Sequence, residues 1–242
     1  SAVFLGGSPF NTPALYSILC AAEFIHGVWY PKGGMGMLIK ACEKLATQYG
    51  AKIYTGQAAT QIEVRDGRAH AVHTANGQHA ADVVIGACDL PHLETKLLKK
   101  EHQTFPLSYW KRKSLSISAL MIYVGLDAPV NTTHHSLYFG KKWHDNFEAI
   151  RKGVIPEDPS FYLSLRSESD RTIVPKNGHE LVVLVPLGSS GTYPESVLKK
   201  LADSVLEKVE QLTHSRIKSH VVVKKIYTPE DFAKDFYAFN GA

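Results

Sequence analysis

Apolar residues recur with the three- and four-residue spacing of an amphipathic helix in several segments of the chain. The clearest is residues 194–212, where lysines and glutamates fill the side opposite one apolar stripe. That stripe consists of Leu198, Leu201, Val205, Val209 and Leu212. A second stripe runs through residues 35–49 and is followed by Gly50, the residue expected at a helix C-cap. Helices are also predicted over residues 14–24, over residues 91–100 and from Thr228-Pro229 onward.

Alternating apolar and polar residues predict a compact β module in the first half of the chain. Residues 51–64 and 68–74 flank Asp66-Gly67, and Asn76-Gly77 leads into residues 78–85, so two successive hairpins are expected. The second hairpin is predicted to pair Thr74 with His79 and His73 with Ala80.

A second group of predicted strands follows, and its amino-acid composition differs from that of the first module. The predicted strands cover residues 114–126, 136–139, 160–165, 181–187 and 217–227. Residues 181–187 are continuously apolar, which is typical of a strand buried on both faces. The first module and the second group of strands meet near residues 100–113. The sequence therefore predicts a mixed α/β fold, α+β in layout, whose second part is a sheet covered by helices on one face.

Composition excludes several classes of protein and leaves an ordinary globular one. The chain has 242 residues, 44% of them hydrophobic and 21% charged, and a formal net charge of +4 without a long basic run. Nucleic-acid binding is therefore disfavoured, and the apolar runs are too short to span a bilayer. The three cysteines, Cys20, Cys42 and Cys88, are far apart and indicate neither a disulfide framework nor a zinc site.

A histidine metal site is not supported by the spacing of the twelve histidines. His73 and His79 do not face each other in the predicted hairpin. His134 and His135 are adjacent, and in a strand they would point to opposite faces of the sheet. We therefore expect no metal.

The segment Gly27-Val-Trp-Tyr-Pro-Lys-Gly-Gly-Met-Gly-Met-Leu38 carries the strongest local signal for a ligand. An aromatic-proline approach is followed by three glycines in four residues and then by a helix, so backbone can approach a ligand closely. It lacks the Gly-Lys-Ser/Thr of a phosphate-binding loop and the G-x-G-x-x-G of a dinucleotide fold. A cofactor-facing turn and a packing turn are the two interpretations.

The order of four segments resembles the carotenoid-desaturase family of flavoproteins, which includes the phytoene and diapophytoene desaturases. The four segments are Phe4-Leu-Gly-Gly-Ser-Pro-Phe10, Gly27–Met35, Asp158-Pro-Ser-Phe-Tyr-Leu163 and Tyr227-Thr-Pro-Glu-Asp-Phe232. The chain begins without Met and lacks the two glycine-rich flavin-binding blocks of that family. We therefore expect a middle fragment of a longer FAD enzyme.

The resemblance implies a division of the chain and a set of cofactor contacts. Residues 1–26 would lead into the substrate domain, residues 27–100 would complete a glutathione-reductase-like FAD domain, and residues 101–242 would form the substrate-binding domain with a mixed, mainly antiparallel sheet. The implied FAD contacts are Pro31, Lys32, Gly33, Gly34, Met35, Ala59, Ala87 and Cys88.

The activity that the resemblance implies is desaturation, or isomerisation, of a long apolar polyene by hydride transfer to flavin. Candidate substrate contacts are Trp29, Tyr30, Met121, Tyr123 and Tyr162, for which core packing is the competing interpretation, as it is for Leu163. Arg166, Asp170 and Arg171 are interpreted as a solvated charge cluster, and no catalytic base is identified. The expected location is cytoplasmic with peripheral membrane contact. An amine- or protoporphyrinogen-oxidase-type flavoenzyme and a non-redox module that binds an apolar ligand remain alternatives.

Overall fold

The structure, a computed structural model, describes residues 12–242, so the first of the four family-like segments lies outside the described residues. It contains helices and strands in mixed order. The helices are α1 Ser17–His26, α2 Gly36–Gln48, α3 Leu90–His92, α4 Leu107–Trp110, α5 Trp143–Arg151, α6 Glu195–Thr213 and α7 Pro229–Phe236. The strands are β1 Ala59–Arg65, β2 Arg68–Thr74, β3 Gly77–Ala80, β4 Ile117–Leu126, β5 His135–Tyr138, β6 Phe161–Ser164, β7 His179–Gly188 and β8 Val221–Tyr227.

The described chain forms two compact units. The first unit contains residues 12–42 and 115–229, and the second contains residues 43–114 and 230–242. These units are defined by packing. The division predicted from the resemblance, with boundaries at residues 26 and 100, concerns function and stays a prediction.

The first unit is built on a five-stranded antiparallel sheet in the order β5-β6-β7-β4-β8. The long strands β4 and β7 form its centre and are paired from Ile117–Gly188 to Leu126–His179. One face is covered by α6, whose apolar stripe packs on alternate residues of β4 and β7 in the hydrophobic core. The predicted antiparallel sheet with a helical cover is confirmed, and every pairing described in it is antiparallel rather than mixed.

Alternation on β4 decides which side chains reach this core. Its even-numbered residues from Ser118 to Leu126 are buried, whereas the odd-numbered residues are half-buried or exposed. The opposite face of the sheet is therefore more open to solvent.

The second unit contains a three-stranded antiparallel sheet, β1-β2-β3, and the short helical turns that follow it. The Asp66-Gly67 hairpin is confirmed, since Arg65 pairs with Arg68. The register predicted for the next hairpin is wrong by two residues, because Thr74 pairs with Gly77 and His73 with Gln78. The Thr74 hydroxyl accepts the Asn76 N–H at 3.2 Å, which tightens the loop to two residues. His73 and His79 still do not pair.

Candidate functional site

The sequence Pro31-Lys-Gly-Gly34 folds into a four-residue turn directly before α2. The Gly34 N–H donates to the Pro31 carbonyl at 3.0 Å, and Gly33, the third residue of the turn, has φ +86°. Four-residue turns of type II need a positive φ at the third residue, and glycine adopts such a φ without steric cost. The two adjacent glycines therefore determine the local fold.

Asp170 anchors this turn from a distant part of the first unit. The Gly33 N–H donates to Asp170 Oδ2 at 2.5 Å. The other oxygen, Oδ1, accepts the hydroxyl and backbone N–H of Thr172 at 2.6 and 3.0 Å. The Thr172 hydroxyl, followed by the Gly33 amide, lowers the pKa of the carboxyl below its usual value. Asp170 is only 7% exposed, so its interpretation as part of a solvated cluster is wrong.

Arg166 is also held in place, by a carboxylate that the sequence did not single out. Its Nε and Nη2 donate to the two oxygens of Glu180 at 2.9 and 2.6 Å, and its backbone N–H donates to the same carboxylate at 2.9 Å. This pairing raises the pKa of Arg166. Arg171, in contrast, is exposed and donates to the Gly178 carbonyl. The solvated interpretation therefore holds for Arg171 alone.

Four rings connect the turn to the sheet and bring two predicted substrate residues, Tyr30 and Tyr162, into one cluster. The Tyr30 ring meets His134 edge-on with centroids 5.0 Å apart, and the His134 and His135 rings stack at 4.2 Å. His135 Nδ1 lies 2.5 Å from the Tyr162 hydroxyl oxygen. The prediction that the two histidines point to opposite faces is wrong, because β5 begins only at His135.

Burial governs the electrostatics of this ring cluster. Desolvation lowers the pKa of His134, and the neighbouring His135 adds to the effect. The Nδ1 atom of His134 lies 2.8 Å from the Ser169 hydroxyl, while its Nε2 is buried without a hydrogen-bond partner among the described residues. The nearby Tyr30 hydroxyl contributes to the raised pKa of Arg166. The hydroxyl oxygen of Tyr30 itself has no hydrogen-bond partner among the described residues. Burial therefore favours the neutral form of the His134 imidazole.

The remaining candidates on the sheet occupy its open face rather than the core. Residues directly opposite each other on neighbouring strands share one face. Such pairing links five side chains, one from each strand, into an apolar row: Leu137, Tyr162, Leu184, Met121 and Tyr227. Tyr123, two residues from Met121 and 38% exposed, lies on the same face. Core packing is confirmed for Leu163 and wrong for Met121, Tyr123 and Tyr162.

The other predicted residues around the turn are mostly open to solvent. Trp29 is 87% exposed and its indole N–H donates to the His26 carbonyl at 2.8 Å. Lys32, Gly33 and Met35 are exposed as well, while Pro31 is half-buried and Gly34 is buried. The structure thus brings Tyr30 and the turn together with Asp170.

The last three predicted cofactor residues belong to the second unit. Ala59 begins β1 and pairs with Thr74 at the edge of the small sheet. Ala87 and Cys88 are exposed and precede Asp89, whose carboxylate accepts the Phe239 N–H at 2.8 Å. Their contact with a cofactor stays a prediction.

The part of the chain that the structure describes contains neither a group of metal ligands nor a helix that could span a membrane. Within residues 12–242, no three His, Cys, Asp or Glu side chains are grouped so that they could hold an ion. Each helix in the same range is too short or too polar to cross a bilayer.

The family model of flavin-containing amine oxidoreductases matches residues 1–239, almost the whole sequence. The chain belongs to this family. Solved structures agree with that assignment at the level of fold. An oxidoreductase from Methanosarcina mazei is similar with a TM-score of 0.60 and 18% identity, over 88% of this chain and 47% of that one.

Three curated relatives share the family with this chain at 30% identity. They are a carotenoid 3,4-desaturase from Haloarcula japonica, a zeta-carotene-forming phytoene desaturase from Myxococcus xanthus and a lycopene-forming phytoene desaturase from Pseudescherichia vulneris. The alignments cover 99%, 99% and 95% of this chain but 49%, 47% and 48% of those relatives. The chain therefore spans about half the length of the curated relatives that it matches, and the predicted resemblance to carotenoid desaturases is confirmed.

Proposed function

We propose that the protein containing this chain is an FAD-dependent desaturase of a carotenoid polyene. Three relatives whose names specify carotenoid or phytoene desaturation match 95–99% of the chain, which supports the substrate class. In this proposal residues 27–100 flank the FAD, and residues 101–242 hold the substrate. Isomerisation of the same substrate class is the variant of this function that the same scaffold can serve.

The residues of the glycine turn fit the role of a flavin-facing wall. Lys32 and Gly33 are exposed, and Gly33 brings its backbone to the surface without a Cβ. The Gly33 N–H is already used by Asp170, so contact would come from the remaining backbone of residues 31–35. FAD, when bound, supplies the hydride acceptor.

The apolar row on the open face of the sheet is the observation that carries the proposal for the substrate. Its five side chains extend over five adjacent strands, a length of about 19 Å at the usual spacing between strands. A flat, extended polyene can lie along the whole of such a row, whereas a small amine would use only a fraction of it. Tyr162 and Met121 therefore bind substrate through apolar contact in this proposal, with Tyr123, Tyr30 and Trp29 beside them.

Such a substrate is insoluble in water, so the protein would take it from a bilayer by peripheral contact. The exposed apolar residues of α1, which include Phe24 and Ile25, offer a surface of suitable chemistry. Sedimentation with lipid vesicles would test this contact. The pair of changes Phe24→Asp and Ile25→Asp should reduce the bound fraction, and an unchanged fraction would exclude α1 as the contact.

The test of the function uses the full-length protein loaded with FAD and mixed anaerobically with phytoene. Bleaching of the flavin band together with a new double bond in the product, identified by chromatography, is the expected result. Leu184→Asp should raise the KM for the polyene about tenfold, since it places a charge in the apolar row. Val197→Asp is the matched control, because it introduces the same charge on the exposed side of α6.

The alternatives give different outcomes in the same experiment. Oxidation of an amine or a porphyrinogen in place of the polyene would assign the protein to another branch of the family. A product with moved double bonds and no bleaching would indicate isomerisation. Binding of the polyene without any change in flavin or product would indicate a non-redox binding module.

A further inference from the structure

The two central residues of the turn Pro31–Gly34, Lys32 and Gly33, are exposed, yet the backbone of Gly33 is bonded to a buried side chain 137 residues away. Gly33 donates its N–H to Asp170 Oδ2 at 2.5 Å. Two further backbone hydrogen bonds involve the turn: an internal one from the Gly34 N–H to the Pro31 carbonyl, and one in which the Gly34 carbonyl accepts the Met37 N–H of α2 at 2.9 Å. A surface turn with one internal hydrogen bond would otherwise sample several conformations.

Asp170 is itself held in one orientation. Thr172 donates both its hydroxyl and its backbone N–H to Oδ1, which directs Oδ2 toward Gly33. Both oxygens are thus used, by three donors, in a side chain that is almost fully buried. Hydrogen bonds to an ionised acceptor are about twice as strong as those between neutral groups. A carboxylate is therefore suited to fix the turn, and an amide with a single oxygen cannot serve both partners.

We infer that Asp170 is the positioning residue of the flavin-facing turn: it fixes the Lys32–Gly33 peptide and, through it, the approach of the turn to the cofactor. This inference rests on the proposed function for the direction in which the turn faces. The hydrogen bond itself does not depend on that function. In this inference Asp170 acts through its bond to Gly33 and not by contact with the substrate or the flavin.

Hydrogen exchange in the full-length protein tests the anchor directly, without any need for turnover. Gly33 is exposed, so protection of its amide reflects the bond to Asp170. In Asp170→Ala, exchange in peptides that cover residues 30–35 should be about tenfold faster than in the natural protein. Asp170→Asn should give a smaller acceleration and remains a test if the alanine variant does not fold.

A matched control is available in the same unit. The Asp158 carboxylate also accepts a backbone N–H, that of Lys141 at 2.9 Å, and the Tyr138 hydroxyl at 3.1 Å. Asp158→Asn should speed exchange around Lys141 and leave residues 30–35 unchanged. Equal acceleration of the turn by both changes would mean general loosening and would overturn the specific role of Asp170.

The second readout is the flavin of the same variants. In Asp170→Asn, we expect flavin reduction at saturating polyene to be about tenfold slower with little change in KM, because small displacements of a reacting group are costly. The midpoint potential of the flavin in Asp170→Asn should also shift relative to that of the flavin in Asp158→Asn. Unchanged exchange at residues 30–35 in Asp170→Ala would overturn the anchor.

Faster exchange with unchanged reduction rate and potential would overturn the positioning role, although the hydrogen bond would stand. If the natural protein fails to oxidise any polyene, the proposed function fails instead. The exchange data and the midpoint potential would then still decide the role of Asp170.

Discussion

Alanine replacements in the glycine turn should separate two glycines that look equivalent in the sequence. Gly33 has φ +86°, where an L-residue costs about 1–2 kcal/mol more than glycine. A Cβ there would also lie 2.9 Å from Met37 Cγ, and this flexible side chain would have to shift. Gly36 begins α2, has no atom within 4 Å of an added Cβ, and does not have a positive φ. Alanine at Gly36 should therefore stabilise the helix by about 0.5 kcal/mol.

The two effects together predict a difference of about 2 kcal/mol between Gly33→Ala and Gly36→Ala, with opposite signs relative to the natural protein. Thermal unfolding of the full-length variants at one scan rate measures it. For a domain of 150–250 residues, that difference corresponds to about 4–8 °C in Tm. If Gly33→Ala melts at or above Gly36→Ala, the left-handed conformation of Gly33 is not present in solution, and the account of the turn fails.

Three further predictions concern the first unit. Glu180→Ala leaves the partly exposed Arg166 unpaired and should lower the free energy of unfolding by about 1–2 kcal/mol in urea titrations, and adding Arg166→Met should recover part of that loss. Asn146→Ala removes three hydrogen bonds from a side chain that is 4% exposed and should cost about 2–3 kcal/mol in the same assay; a loss below about 0.5 kcal/mol would contradict those contacts. Burial lowers the pKa of His134 in the folded protein below 6.5, so the unfolded chain binds the proton of this imidazole more readily. The resulting stability is present above pH 6.5 and is lost as the pH falls toward the pKa of the folded protein. His134→Asn should therefore flatten the decrease in Tm between about pH 7 and pH 5, and an unchanged slope would show that His134 does not titrate in this way.

Elements whose signal is local could be predicted from the sequence. Residues 194–212 were expected as a helix and form α6, Glu195–Thr213, because one apolar stripe and its charged reverse face define a helix without tertiary information. Residues 68–74 match β2 because Asp66-Gly67 fixes the turn before that strand. Where the pattern is strong and the boundary residue is a turn former, sequence alone was sufficient.

The helix α5, Trp143–Arg151, was not predicted, and its contacts explain why. Asn146, in its first half, is buried and bonds to groups outside the helix. Its amide group donates to the Asp158 carbonyl and accepts the Ser160 N–H. Asparagine is a modest helix former, so its presence argues against a helix when only local propensity is considered. Tertiary hydrogen bonds decide this element, and they cannot be read from a window of nine residues.

The candidate site shows the same limit more sharply. Arg166, Asp170 and Arg171 form one charged segment in the sequence, yet the structure gives them three different environments. Arg166 is paired with Glu180, Asp170 is buried under the glycine turn, and Arg171 is exposed. Burial and pairing separate them, and both depend on which distant residues fold against the segment. Glycine spacing could predict that a turn precedes α2, but only the bond between Gly33 and Asp170 shows what holds that turn in place.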